Sequence, residues 1–197
     1  MSVSLALDFT PKEWPESKLR RILPWLEAAG EITGDLDILR VAQESSEFLE
    51  EVTMKEGYLS PVGNQGWYSE GGEPAHFDQQ PIDVLAMVMM FQQAYVTTHE
   101  RSYIHKMFTS FLWFLGENDL RIPLYDYETC GCCDGLEATG VNRNQGAEST
   151  LAYLISHLTV LNTLELEYVL NDQSEKQVLS ERAEVALEKL PVHGIVL

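Results

Sequence analysis

The sequence is poor in positive charge and in long apolar runs, and each scarcity excludes a class of protein. Its 197 residues carry 13 basic against 31 acidic side chains, a formal net charge of −18. Such a surface repels phosphate backbones and anionic lipids, so we expect no binding to nucleic acid or to a membrane. No apolar run approaches the roughly 20 residues that span a bilayer.

Cysteine is also scarce and is confined to one place, at Cys130, Cys132 and Cys133. A secreted disulfide-stabilised protein distributes an even number of cysteines along its chain, so free thiols are expected here. The first residues, MSVSLALDFTPKEW, lack the basic segment and the apolar length of a signal peptide. We therefore expect a cytoplasmic protein with one domain over residues 1–197, a length that buries a sizeable core.

Apolar residues recur with helical spacing through most of the chain. This pattern predicts six helices, at 17–29, 34–55, 81–97, 100–115, 147–170 and 174–190. Thr33 is the predicted cap of the second helix and Gly57 its end, and Pro81 opens the third. The third helix is apolar on nearly every side, so we expect it to be buried on two sides. No strand pattern competes, and 131–140 is predicted as turns, so the fold is all-α and built of antiparallel helical hairpins.

The lengths of the connections predict where function is located. Three connections are short turns, including one around Asn171, whereas 57–80 and 116–146 are long. Alternate connections of an up-and-down array emerge at the same end, so both long loops should share one rim. Long structured loops on a rigid scaffold commonly carry binding and catalytic residues.

Both loops mix aromatic, amide and carboxylate side chains, as a sugar site requires: flat faces for C–H surfaces and polar groups for hydroxyls. The alternative is that these side chains only cap helices and hold the loops to each other. The predicted ligand-binding residues are Trp67, Tyr68, His76, Gln79, Gln80, Tyr125, Asn142, Arg143, Asn144 and Gln145.

Four stretches resemble a bacterial domain of the six-hairpin glycosidase-like (α/α) toroid superfamily: SPVGNQGWYSEGG, HFDQQPIDVLAM, FLWFLGENDLRIPLYDYETCGCCDGL and GVNRNQGAESTLAYL. The resemblance is strong over about residues 58–154, where Cys130 stands in place of an expected glycine. It implies a domain fused to or beside a retaining glycosyltransferase, acting on or binding a hexose-containing, mannosidic oligosaccharide. Six helices make about three of six hairpins. The apolar flanks of such a partial ring predict a homodimer or a companion chain.

The enzymatic form of this hypothesis is a glycoside hydrolase, which needs two carboxyl groups across the scissile bond. Asp78, just before the third helix, is the predicted base, Glu148 in the first turn of the fifth is the general acid, and Asp134 is a third candidate. The alternative for Glu148 is an acid that interacts favourably with the helix dipole. A carbohydrate-recognition or assembly module without turnover is the alternative function. A sugar epimerase or isomerase ranks lower, because only His76 offers a suitable base.

The cysteine-rich stretch at 130–150 allows a metal site, a disulfide corner or the wall of a polar pocket. Adjacent Cys132 and Cys133 chelate one metal poorly, and their spacing from Cys130 departs from the usual zinc motifs. A zinc site would need a ligand such as His76 from the other loop. We expect no metal and no cofactor, but buried thiols that pack a loop corner beside a polar pocket wall.

Overall fold

The computed structural model describes residues 24, 28–30, 32–66, 68 and 72–188, with side chains described up to residue 169. Backbone contacts divide the chain into two units, Met1–Val160 and Leu161–Leu197. The hydrophobic core lies in the first unit, together with both long loops. A single domain over 1–197 stays a prediction.

Helices dominate the described chain, which confirms the mainly helical fold class. Of the helix predicted at 17–29, residues 24, 28 and 29 are helical, and its other positions lie outside the described residues. In chain order the elements are α1 (Leu36–Thr53), β1 (Met54–Lys55), β2 (Tyr58–Leu59), α2 (Pro81–Thr98), α3 (Arg101–Leu112), a 3₁₀ turn (Trp113–Leu115), β3 (Gly135–Glu137), β4 (Gly140–Asn142) and α4 (Ala147–Glu188).

Helix α1 is capped by Asp35, whose Oδ1 accepts hydrogen bonds from the backbone N–H of Asp37 at 3.0 Å and of Ile38 at 3.4 Å. This side chain satisfies donors that the first helical turn leaves without partners. The predicted cap, Thr33, is therefore wrong. The predicted end is also displaced, because Gly57 lies in the turn between β1 and β2 with φ 84°.

Helices α2 and α3 form an αα-hairpin joined by His99 and Glu100. Helix α2 begins at Pro81, as predicted, and ends where His99 adopts a left-handed conformation. Six consecutive residues, Asp83 to Val88, are buried, so the first half of the helix is covered on all sides as predicted, whereas Val96 near its end is exposed. The buried apolar residues after its first turn are Val84, Leu85, Ala86, Met87, Val88, Met90, Phe91, Ala94 and Tyr95.

Helix α4 continues without a break through the turn predicted around Asn171, so that prediction is wrong. Residues 171–174 are Asn, Asp, Gln and Ser, most of which have modest helix propensity. They include neither glycine nor proline, and no backbone feature of this polar cluster forces the helix to stop.

The stretch predicted as turns, 131–140, contains β3 and the start of β4. These strands pair with Gly135 opposite Asn142, Leu136 opposite Val141 and Glu137 opposite Gly140. Leu136 is buried and Glu137 is exposed, the alternation expected of neighbours in a strand. Three residues are too few for that alternation to be recognised in the sequence, which is why the hairpin was missed.

The core connects α2 and α3 to the second long loop and to the first turns of α4. Trp113 and Phe114 are fully buried and pack ring against ring at 5.4 Å, and Phe114 also contacts Tyr153 of α4 at 5.6 Å. The second long loop contributes Leu124, Cys132, Cys133 and Leu136 to this core. The core thereby fixes the base of the loop on which the candidate site is built. Within the described part of the chain, no helix combines the length and apolar character needed to cross a bilayer.

Candidate functional site

The two long loops meet through backbone pairing, which confirms that they share one rim. The Leu136 N–H donates to the Gln79 carbonyl at 2.9 Å, and the Leu136 carbonyl accepts from the N–H of Gln79 and of Asp78, both at 3.1 Å. In effect the end of the first loop adds one bridge to the β3–β4 hairpin. Asp78 is therefore held directly beside that hairpin.

Gln79 is the buried node that joins the loops to the helical core. Its side-chain amide donates to Asp119 Oδ2 at 2.6 Å and to the His76 carbonyl at 2.7 Å, while its Oε1 accepts from Trp113 Nε1 at 2.8 Å. Gln79 is 0% exposed and does not reach the ligand-accessible surface. The sequence proposed it as a ligand contact, but in the structure its hydrogen bonds hold the loops together.

Asp119, which sequence reasoning missed, accepts hydrogen bonds from three side chains in two segments. Besides Gln79, the hydroxyls of Ser60 and Tyr58 donate to its Oδ1 at 3.1 and 3.4 Å. Burial and then the nearby Asp119 carboxylate raise the pKa of Tyr58, because both disfavour a phenolate there. A lone aspartate in a loop carries no sequence pattern that would have revealed this role.

An open cavity of about 420 Å³ lies where the loops meet. The first loop contributes Gln65 and Asp78, and the β3–β4 hairpin contributes Glu137, Ala138 and Thr139. Of the three carboxylates predicted to be catalytic, only Asp78 lines it. The second carboxylate of the cavity is Glu137, which the sequence analysis missed because the hairpin that presents it was predicted as turns.

Asp78 occupies an uncommon backbone conformation, with φ 64°. Left-handed backbone is disfavoured for side-chain-bearing residues, and Asp and Asn tolerate it better than most. Backbone hydrogen bonds on both sides of the residue hold this conformation. The Asp78 N–H donates to the Leu136 carbonyl, and the Asp78 carbonyl accepts from the N–H of Asn64 at 3.0 Å. The fold therefore over-determines the position of this cavity residue, as is common at functional sites.

Asp134 is occupied by hydrogen bonds within its own loop. Its carboxylate accepts from the Ser149 hydroxyl at 2.6 Å, from the Gly146 N–H at 2.7 Å and from the Asn144 amide. Burial raises its pKa, but these three bonds outweigh burial and hold the pKa below the usual value. Asp134 thus stays ionised and fastens the hairpin to the start of α4, an arrangement unsuited to a general acid.

Glu148 lies in the first turn of α4 and is exposed. It is not among the residues that line the cavity. It therefore lacks both the burial that a general acid requires and a position beside Asp78. An acid in the first turn does interact favourably with the helix dipole, the alternative considered from the sequence.

The other predicted residues of the first loop that the structure describes are not among those that line the cavity. Tyr68 is half-buried with its ring 5.8 Å from that of Phe48, and His76 is exposed. Gln80 precedes α2 without making a side-chain cap. Trp67 lies outside the described residues.

The predicted amide side chains of the second loop form hydrogen bonds within that loop. Asn142 Oδ1 accepts from the Asn144 N–H at 3.1 Å, and Gln145 exchanges hydrogen bonds with Thr129 and Asp126. Two further predicted contacts lie elsewhere: Arg143 is exposed, and Tyr125 stacks on Tyr153 with 3.9 Å between ring centroids. These contacts support the alternative in which such residues stabilise the loops.

The three thiols are free and fall into two environments. Cys132 and Cys133 are buried in the loop corner, as predicted, whereas Cys130 is exposed, contrary to that prediction. Burial raises the pKa of Cys132 to about 12 and also raises that of Cys133, so neither forms a thiolate near neutral pH. Among the described residues, no group of three or more His, Cys, Asp and Glu side chains converges as a metal site would.

No family model matches this chain, and no curated protein matches it. What the cavity is able to bind is argued from the side chains that line it. Two carboxylates, one amide and one hydroxyl line it, all able to hydrogen-bond a polar ligand. Aromatic side chains are not among the described residues that line it.

Proposed function

We propose that this chain is a carbohydrate-active domain that takes a hexose-containing, mannosidic ligand in the cavity between its long loops. The cavity itself carries this proposal: about 420 Å³ of concave surface whose walls offer carboxylate, amide and hydroxyl groups. That volume lies within the usual range of small-molecule sites. Carboxylates and amides accept and donate the hydrogen bonds that sugar hydroxyls require.

In its catalytic form the domain acts as a glycoside hydrolase through Asp78 and Glu137. Hydrolysis needs one carboxyl group to protonate the leaving oxygen and a second to activate water or attack the sugar carbon. These two residues come from different loops and line the same cavity, whereas Glu148 and Asp134 do not line it. Glu137 therefore replaces Glu148 as the proposed partner of Asp78.

The helical arrangement supports the finer fold proposal, a partial (α/α) toroid. In such rings the inner helices are covered on both sides, and the first half of α2 is buried on all sides, at Asp83 to Val88. Its hairpin partner α3 is amphipathic, with Ile104, Met107 and Phe111 buried and Phe108 exposed. An inner helix paired with an outer one is the repeating unit of this architecture.

A second candidate function is a non-catalytic recognition or assembly module that accompanies a glycosyltransferase. Helix α4 favours it, because four apolar residues on two adjacent turns are exposed: Leu151, Leu154, Ile155 and Leu158. Exposed apolar surface of this kind is typical of protein interfaces.

The test is calorimetric titration of the purified protein with mono- and oligosaccharides, mannosides included, followed by analysis of reducing-end products. Two variants, Asp78→Asn and Glu137→Gln, remove the charge of each carboxyl. Asparagine suits position 78 because it tolerates the left-handed backbone there. The matched control is Glu100→Gln. Glu100 is exposed and follows the far end of the 18-residue α2, about 27 Å from its start.

Binding with products that both variants abolish and the control retains would establish a hydrolase. Binding without products would establish a recognition module. If no saccharide binds, the carbohydrate proposal is refuted and the assembly role becomes the better hypothesis.

A further inference from the structure

We infer that the cavity selects its ligand by charge: it accepts a neutral or amine-bearing sugar and rejects one that carries phosphate or carboxylate. This inference rests on the proposed function and adds the chemical class of the ligand. It starts from the two acidic side chains of the lining, Asp78 and Glu137. None of the five described lining residues is basic, so no group there is able to neutralise an anionic ligand.

The basic side chains of the second loop are engaged elsewhere. Arg121 pairs with Glu117 and lies over the ring of Tyr58, 5.0 Å from its centroid. Arg143 is exposed and acts on Cys133, whose thiolate its charge favours. Neither arginine lines the cavity. The described lining of the cavity therefore includes no cation that would offset the two carboxylates.

The field of the whole chain has the same sign as the cavity. With a net charge of −18, the protein repels anionic sugars before they reach the site and attracts cationic ones. An ammonium group in the cavity is attracted by both carboxylates, whereas a phosphate group is repelled by both. Since a close pair of unit charges is worth about fivefold in affinity even in a well-solvated site, two such pairs should give a preference of about tenfold or more, which is measurable.

The experiment compares mannose, mannosamine and mannose 6-phosphate by calorimetry. We expect mannosamine to bind about tenfold tighter than mannose, and mannose 6-phosphate to bind at least about tenfold more weakly than mannose. Raising the salt from about 20 mM to about 300 mM should shrink both ratios, because the Debye length falls. Glu137→Gln should reduce the ratio of mannosamine to mannose affinity, and Glu100→Gln should leave that ratio unchanged.

The outcomes separate this inference from the function on which it rests. Equal or tighter binding of mannose 6-phosphate than of mannose overturns charge selection and leaves carbohydrate binding standing. The same holds if mannosamine and mannose bind alike, or if Glu100→Gln lowers the ratio as much as Glu137→Gln does. Failure of all three sugars to bind overturns the proposed function, and the inference with it.

Discussion

Replacing Gln79 by leucine should destabilise the protein strongly, because that side chain is the buried node between loops and core. The change leaves the Trp113 N–H without an acceptor in a fully buried position, a loss of about 1–3 kcal/mol. It also removes a hydrogen bond to the Asp119 carboxylate, worth about 1.5–3 kcal/mol. Burial of the apolar leucine side chain offsets about 1–2 kcal/mol of this loss in the free energy of unfolding. We expect a net loss of about 2–4 kcal/mol in the free energy of unfolding.

Urea denaturation measures this loss, and thermal unfolding should show a fall in Tm of about 5–15 °C for a protein of this size. The matched control is Gln43→Leu on the exposed face of α1, where the amide bonds only Glu47, and the expected change is within about 0.5 kcal/mol. A double-mutant cycle with Trp113→Phe isolates the buried hydrogen bond and should give a coupling above about 0.5 kcal/mol. A Gln79→Leu loss below about 1 kcal/mol, or additive single changes, would refute this account of the node.

Three further predictions concern the loops. Gly63→Ala should lower the free energy of unfolding by about 1–3 kcal/mol, because its Cβ would overlap the backbone carbonyl of Phe77. At Cys130, with φ 57°, Cys130→Gly should be neutral or stabilising by up to about 1 kcal/mol, and Cys130→Val destabilising by about 1–2 kcal/mol. Folding lowers the pKa of Asp134, so the ionised carboxyl stabilises the folded state. This contribution to the free energy of unfolding is complete above the unfolded pKa near 4 and is lost as pH falls through the folded pKa. The stability gap between the protein and its Asp134→Asn variant should therefore narrow from about pH 6 to about pH 3.

Each of these has a result that contradicts it. An unchanged denaturation midpoint for Gly63→Ala would mean that the first loop yields without cost at that point. Equal stability of the glycine and valine variants at position 130 would remove the argument from backbone strain. A gap between the protein and Asp134→Asn that stays constant or widens toward low pH would show that the three hydrogen bonds do not favour the ionised carboxyl.

The helices that could be predicted well are those with strong periodicity and clear boundaries. Pro81 marks the start of α2, and its all-round apolar character predicted its burial correctly. The start of α1 and the continuity of α4 were mispredicted, because several polar residues near each boundary have similar capping or helix-breaking preferences. Thr33 was the predicted cap, but its hydroxyl donates to the Ala29 carbonyl, whereas Asp35 accepts from the first turn of α1.

The candidate site was predicted in its location but only partly in its residues. The convergence of the two loops followed from connection lengths, and Asp78 was identified correctly as a carboxylate that lies there. Glu137 was missed because its hairpin is too short to show a pattern. Glu148 was favoured because the start of a helix was expected to face the pocket. For Cys130, the glycine expected from the family resemblance agrees with the positive φ observed there.

By itself, the sequence determined the mainly helical class, the burial of α2 and the meeting of the two long loops. These properties depend on local periodicity and on the number of residues between helices, and both can be read directly from the sequence. Only the tertiary structure decided that Gln79 is buried in the core while its neighbour Asp78 lines the cavity, and that Glu137 lines the same cavity. In loops without a repeating backbone geometry, the direction of each side chain depends on hydrogen-bond partners from distant segments, such as Trp113 and Leu136.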